Sequence, residues 1–149
     1  MENSLKGLIL AAGTIITCVV ITLAFFISRE AKQTAVHGAE EINELNVEFA
    51  ESNKLVYDNT MVSGSEVINA VKKFAGDHVG VMVQTNKGTC YYGYNFNQGT
   101  GELGTASTLS IADATQSDNQ NYINPYATFK GTVVRDSNDT ITGLVFIQS

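Results

Sequence analysis

Tryptophan is absent from the 149-residue sequence, proline occurs once, and cysteine and histidine occur twice each. Cys18 lies inside an apolar run and Cys90 lies far from it, so the sequence predicts no disulfide framework. His37 and His78 are also isolated from each other, and no spacing of ligand residues resembles a metal site. We therefore expect neither a bound metal nor a cofactor.

Basic residues are also scarce, because 9 Lys and Arg stand against 15 Asp and Glu, which gives a formal net charge of −6. Domains that bind nucleic acids are usually basic, so no nucleic-acid partner is predicted. The sequence contains no phosphate-binding Walker loop, no dinucleotide fingerprint and no Gly-x-Ser-x-Gly elbow. We expect no catalytic residues, and hence a protein that is not an enzyme.

The most prominent stretch that is present runs from Gly7 to Ser28 and contains no charged residue. At about 1.5 Å per residue, a helix of this length covers the roughly 30 Å hydrocarbon core of a bilayer. The stretch is longer than the ~7–15 apolar residues of a signal peptide, so a retained anchor is predicted. Lys6 precedes it and Arg29 follows it, and this near balance of charge leaves the orientation open. The Ser-, Thr- and Asn-rich remainder favours an extracytoplasmic C-terminal domain.

Two groups of residues in the first part of the chain are predicted to pack against neighbouring helices. Small side chains near the start of the span would allow close approach between helices, and they are Gly7, Ala11, Ala12 and Gly13. Further along, small and apolar residues alternate at spacings of three and four, as in a narrow helical seam. These residues are Ala35, Gly38, Ile42, Leu45, Phe49, Ser52 and Val56. Glutamates fill the same turns, so the segment is either a solvated helix or a stalk whose Ile42, Leu45 and Phe49 pack on its own domain or on a neighbour.

The remainder of the chain predicts a short helix followed by strands. Ser63 and Glu66 have the spacing of a capping box, which predicts a helix over residues 64–75. Alternating apolar runs predict one hairpin from residues 78–85 and 89–96, and a second from 128–135 and 140–148. In the final strand both faces carry apolar residues, which indicates cover on both sides. The polar segment 97–125 is predicted to be a surface loop or a subunit contact, and residues 105–112 could add a strand.

These elements together predict an α+β fold. A long N-terminal membrane-spanning helix continues into a stalk, and one short helix packs on a four- to five-stranded antiparallel sheet. Residues 1–28 are assigned to the N-terminal tail and transmembrane helix, and residues 29–56 to an amphipathic acidic stalk. Residues 57–149 are assigned to a small extracytoplasmic α+β domain.

An apolar N-terminal helix that continues as an amphipathic stalk and joins a small sheet resembles the layout of type IV pilins and pseudopilins. The start MENSLKG, followed by LILAAGTIIT, looks like a short prepilin leader ending in Gly7. After cleavage there, the fifth residue would be Ala12, where pilins of this type carry Glu. The C-terminal disulfide loop of many pilins has no counterpart here.

The resemblance implies a structural subunit of a bacterial cell-surface filament, which assembles with copies of itself through its apolar helix. Such a subunit would be a single-pass protein of the cell membrane, and it would reach the cell surface in the filament. The alternative is a membrane anchor or adaptor that presents a small binding domain to a secretion or transport complex. Assembly or secretion machinery is therefore a further expected partner.

Overall fold

A computed structural model describes all 149 residues and divides the chain into two compact units, Met1–Val47 and Glu48–Ser149. The first unit belongs to a single helix, α1 (Glu2–Leu55), whose last turns are part of the second unit. Without an internal proline, this helix continues unbroken for roughly 80 Å at about 1.5 Å per residue. Its N-terminal part is long and apolar enough to cross a membrane.

The second unit contains two short helices and six strands. In chain order these elements are β1 (Met61–Ser63), α2 (Gly64–Phe74), β2 (Gly80–Thr85), β3 (Gly88–Phe96), β4 (Leu103–Ala106), α3 (Ile111–Thr115), β5 (Thr128–Arg135) and β6 (Ile141–Gln148). The predicted α+β class is confirmed, and α2 and both hairpins lie within a few residues of the predicted positions.

The sheet differs from the prediction in its size and in one strand direction. Its six strands have the order β1-β5-β6-β2-β3-β4, and β2 and β6 run parallel to each other. Every other neighbouring pair is antiparallel. Each hairpin forms between strands that are adjacent in sequence, whereas the parallel pair joins the two hairpins across most of the domain's sequence. The sheet is therefore mixed rather than antiparallel.

Helix α2 covers one face of the sheet because its apolar residues repeat at helical spacing. Val67, Val71 and Phe74 are buried in one cluster with Val83 and Phe146 of the sheet. The N-terminus of α2 is closed locally, since Ser63 Oγ accepts the Glu66 N–H at 3.3 Å. The preceding N–H groups of Gly64 and Ser65 donate to the carbonyl oxygens of Ala127 and Pro125. These bonds join the start of α2 to the chain that leads into β5.

The opposite face of the sheet has a smaller core built on glycine. The ring of Phe96 lies over Gly80 and Gly143, which are paired across β2 and β6, and a Cβ at either position would overlap the ring. Met82 and Val145 are buried beside it. The Thr142 hydroxyl donates to Gly101 O at 2.6 Å, which connects β6 to the loop that follows β3. The prediction that the final strand is covered on both sides is therefore confirmed.

The polar segment 97–125 is more ordered than a simple loop. Only part of the suggested strand over 105–112 forms, because β4 ends at Ala106 and α3 begins at Ile111. The Ser110 N–H and hydroxyl both donate to Asp113 Oδ2, at 2.8 and 2.9 Å, and this closes the start of α3. These hydrogen bonds lower the pKa of the Asp113 carboxyl. The segment is tied down by its own polar side chains.

Candidate functional site

The N-terminal half of α1 exposes its apolar side chains instead of burying them. Large apolar residues between Leu5 and Ile27 each expose between 50% and 74% of their surface. Three threonine hydroxyls of this stretch, those of Thr14, Thr17 and Thr22, donate to carbonyl oxygens of their own helix at 2.7–2.8 Å. A helix also satisfies its own backbone groups, so the stretch presents few unsatisfied polar groups to a hydrocarbon environment.

The continuous helix separates the small residues that were predicted to share one packing face. Gly7 and Ala11 lie about one turn apart on the same face, whereas Gly13 lies roughly 200° around the axis from Ala11. Ala12 occupies a position between them. A side chain added at Gly7 or Gly13 would have no neighbour within 4 Å. Gly7 and Ala11 can therefore contact one neighbouring helix, whereas Ala12 and Gly13 face other directions. That these residues pack against neighbouring helices stays a prediction.

Beyond the span, α1 carries a second exposed apolar surface. Ile42, Leu45 and Phe49 expose 61%, 52% and 65% of their surface, respectively. Their spacing of three and four places them on one face of the helix. Since Ile42 lies about 20 Å past Ser28 along the axis, a bilayer centred on the span does not reach these side chains. Lipid alone therefore leaves this surface uncovered.

The last turns of α1 are fixed to the sheet domain by polar contacts. Glu51 Oε1 accepts the Ile141 N–H at 3.1 Å, and Glu51 Oε2 lies 3.5 Å from Arg135 Nη1. Lys73 Nζ donates to Asn53 Oδ1 at 2.9 Å. Tyr57 then packs edge-on against Phe146, with a centroid distance of 5.5 Å. The sequence pattern grouped Glu51 with a solvated acidic face, and no local signal distinguished it from its neighbours.

A groove of about 500 Å³ lies between α2, strands β3 and β4, and the chain leading to α3. Lys72, Tyr94, Leu109 and Ile111 contribute to its lining. Its lining hydroxyls serve the fold, since Ser107 Oγ donates to Tyr91 O at 2.6 Å and Tyr92 Oη to Asn121 O at 3.0 Å. Burial raises the pKa of the Tyr92 hydroxyl, so it stays protonated. These two hydroxyls are therefore already engaged by hydrogen bonds within the domain.

Metal-ligating side chains do not cluster anywhere in the chain, since no group of three or more His, Cys, Asp or Glu residues is close enough to hold an ion. Comparison with protein-family models, curated proteins and solved structures finds no match to the chain. The function is consequently inferred from the geometry of this molecule. Its most distinctive feature is the exposed apolar surface of α1, both within and beyond the membrane-length stretch.

Proposed function

We propose that the chain is a structural subunit of a bacterial cell-surface filament, assembled through its N-terminal apolar helix. A long apolar helix followed by a sheet domain is compatible with a pilin-like fold. The observation that carries the proposal is the exposed apolar surface of α1, which extends well beyond the length that a bilayer can cover.

The length of α1 supports protein rather than lipid as the cover for its C-terminal part. A bilayer core of roughly 30 Å takes up about 20 residues, and α1 has 54. Ile42, Leu45 and Phe49 lie in the remaining part, where water is the alternative to a protein partner. Each Å² of apolar surface removed from water contributes about 25 cal/mol, so contacts between copies would stabilise an assembly. Side-by-side α1 helices can supply such contacts.

The same proposal gives the protein a place in the cell. Before assembly it is a single-pass protein of the cell membrane with the sheet domain on the extracytoplasmic side. After assembly it lies on the cell surface, with copies of itself as the main partner and assembly machinery as a second one. The polar composition of the region after the helix supports an outward-facing domain.

A membrane anchor or adaptor is the second candidate, and the groove between α2 and β4 favours it. With a volume of about 500 Å³ and Lys72 in its lining, the groove could hold a segment of a larger partner. In that case α1 would only fix the domain to the membrane. The domain would then bind a secretion or transport complex through this groove.

Electron microscopy of sheared cell-surface material tests the two candidates against each other. We expect filaments that resist dissociation by mild detergent, and we expect mass spectrometry to identify the chain in them. The mass of the N-terminal peptide would also show whether cleavage occurs at Gly7. If the chain is found only in detergent-solubilised membranes, and at low copy number with larger proteins, the filament proposal is wrong and the adaptor takes its place.

A further inference from the structure

We propose that the part of α1 beyond the membrane span pairs in parallel and in register with the same segment of a second copy. This inference rests on the proposed function, because it names the surface that copies use outside the bilayer. The pairing surface, which we call the stalk seam, consists of Ala35, Gly38, Ile42, Leu45, Phe49 and Ser52 of α1 together with Val56, which directly follows the end of the helix.

The stalk seam follows a strict seven-residue repeat. Ile42, Phe49 and Val56 are spaced seven apart and take the a positions, and Leu45 and Ser52 take the d positions. In a helix, all seam residues fall within an arc of about 100°. The large apolar members are all exposed, including Phe49 and Val56, which flank the turn that is bonded to the sheet domain. The seam is therefore available to a second helix.

The polar and charged residues that flank the stalk seam favour a parallel partner helix. In this repeat Glu41 and Glu48 take the g positions, and Asn46 and Asn53 take the e positions. In a parallel pair each g residue faces the e residue five positions further along the other helix. Glu41 would thus face Asn46 of the second copy, and Glu48 would face Asn53. In an antiparallel pair the glutamates would face each other, and like charges would repel.

The asparagines are suited to this pairing. Asn53 Oδ1 already accepts a hydrogen bond from Lys73 of its own domain, which leaves the amide N–H groups free to donate. A glutamate carboxylate on the neighbouring helix is an acceptor for them. Glu40, Glu44 and Glu51 fall at c and f positions, away from the seam, where they do not oppose the pairing.

The membrane span compensates for the small interface area of the stalk seam. Four large apolar side chains bury less than the roughly 800 Å² per partner of a standard stable interface. The span, however, confines copies to one membrane and one direction, which raises their effective concentration and excludes the antiparallel pair. The same repeat continues back into the span through Ala31, Ser28 and Ala24, whose small side chains allow close approach. The pairing therefore belongs to the full chain in a membrane.

Disulfide trapping in the full-length chain tests this inference. In native membranes and in a Cys18→Ser background, single cysteines would replace Leu45 or Ser52 on the seam. Glu44 and Val47, which are exposed on other faces, would supply the matched controls. Cys90 remains because it is buried, and the background without an added cysteine is the blank. In-register pairing predicts that oxidation forms at least about fivefold more dimer at Leu45→Cys and Ser52→Cys than at the controls.

Equal trapping at all four positions would indicate random collision and would overturn the inference. Trapping between Leu45→Cys and Ser52→Cys in mixed samples, without trapping of identical positions, would show a staggered packing instead. Both results are compatible with filaments in sheared material, so the proposed function can hold even if this inference is wrong. In-register trapping without filaments would leave the inference intact and reject the filament.

A pair of substitutions at Asn46 tests the charge argument separately. Asn46→Lys places a base opposite Glu41 of the second copy and should raise the Leu45→Cys dimer fraction by about twofold. Asn46→Asp places two acids together and should lower it by a similar factor. The same two changes at Asn43, which lies off the seam, should leave trapping unchanged. An equal response at both positions would contradict the assigned register.

Discussion

Phe49 on α1 and Phe146 in β6 are the same side chain in opposite environments. Phe49 exposes 65% of its surface, whereas Phe146 is completely buried and packs against Tyr57. The contrast extends to the surrounding residues, because the sheet domain encloses its apolar side chains and α1 displays them. A domain that completes its own core gains its stability from the fold. A helix that does not leaves apolar surface available to lipid or to other proteins.

The largest expected effect comes from truncating these two phenylalanines in turn. Phe146→Ala should lower the free energy of unfolding of the sheet domain by about 3–5 kcal/mol, because it leaves a cavity in the core. Phe49→Ala should change it by less than about 0.5 kcal/mol, since the side chain is mostly in solvent. Denaturant unfolding of the full chain in micelles, followed by near-ultraviolet circular dichroism, measures both. Equal losses would mean that Phe49 belongs to the core.

The second prediction concerns the glycines under Phe96. A Cβ at Gly143 would overlap the Phe96 ring, so Gly143→Ala should destabilise the domain by about 1–3 kcal/mol through overpacking. At Gly76, nothing lies within 4 Å of an added Cβ, which makes Gly76→Ala the matched control. The same unfolding measurement applies. If Gly143→Ala were as stable as Gly76→Ala, the second core would have to be more open than the structure shows.

The third prediction addresses the junction between α1 and the sheet. Glu51→Ala removes the acceptor of the Ile141 N–H and the ionic partner of Arg135, so a loss of about 1 kcal/mol is expected. Glu44→Ala on the same helix should be nearly neutral, because the Glu44 side chain is exposed and lies off the stalk seam. Both changes have the same effect on helix propensity. A similar cost for the two variants would show that the contacts of Glu51 add nothing.

The features that the sequence predicts well are local ones. Ser63 and Glu66 mark the start of α2 within a few residues of each other, and alternation within single runs identifies both hairpins. The sequence also predicts the burial of β6 on both sides, because apolar residues occupy both faces of that strand. In each case the residues that specify an element lie within the element or next to it.

The features that the sequence does not predict depend on partners far along the chain. The parallel pairing of β2 with β6 has no local pattern, and β1 is too short to show alternation before it pairs with β5. The sequence does not distinguish Glu51 from the other glutamates of the stalk, because its partner Ile141 lies far along the chain. In segment 97–125, the spacing of Ser110 and Asp113 was the available signal for a helix start, since a serine with an acid three residues later commonly caps one.

The smallest expected effect is a dependence of the stability of the sheet domain on pH, which comes from its buried Cys90 thiol. Burial raises the pKa of the Cys90 thiol above its ordinary value of 9.0. The thiol donates to Val83 O at 3.4 Å and is shielded by the sheet. In a Cys18→Ser background at about pH 8, we expect iodoacetamide to modify the unfolded chain much faster than the folded one. Equal rates would show that Cys90 is accessible.

The sign of the pH effect follows from the two states of this thiol. Because the pKa is higher in the folded chain, the contribution of Cys90 to stability is complete below about pH 9, where both states are protonated. It declines as the pH rises through the folded value, since the unfolded chain releases its proton first. Tyr57 and Tyr92, whose pKa values burial also raises, weaken the domain in the same alkaline range. The difference between the parent chain and Cys90→Ala isolates the thiol, and that difference should change only on the alkaline side.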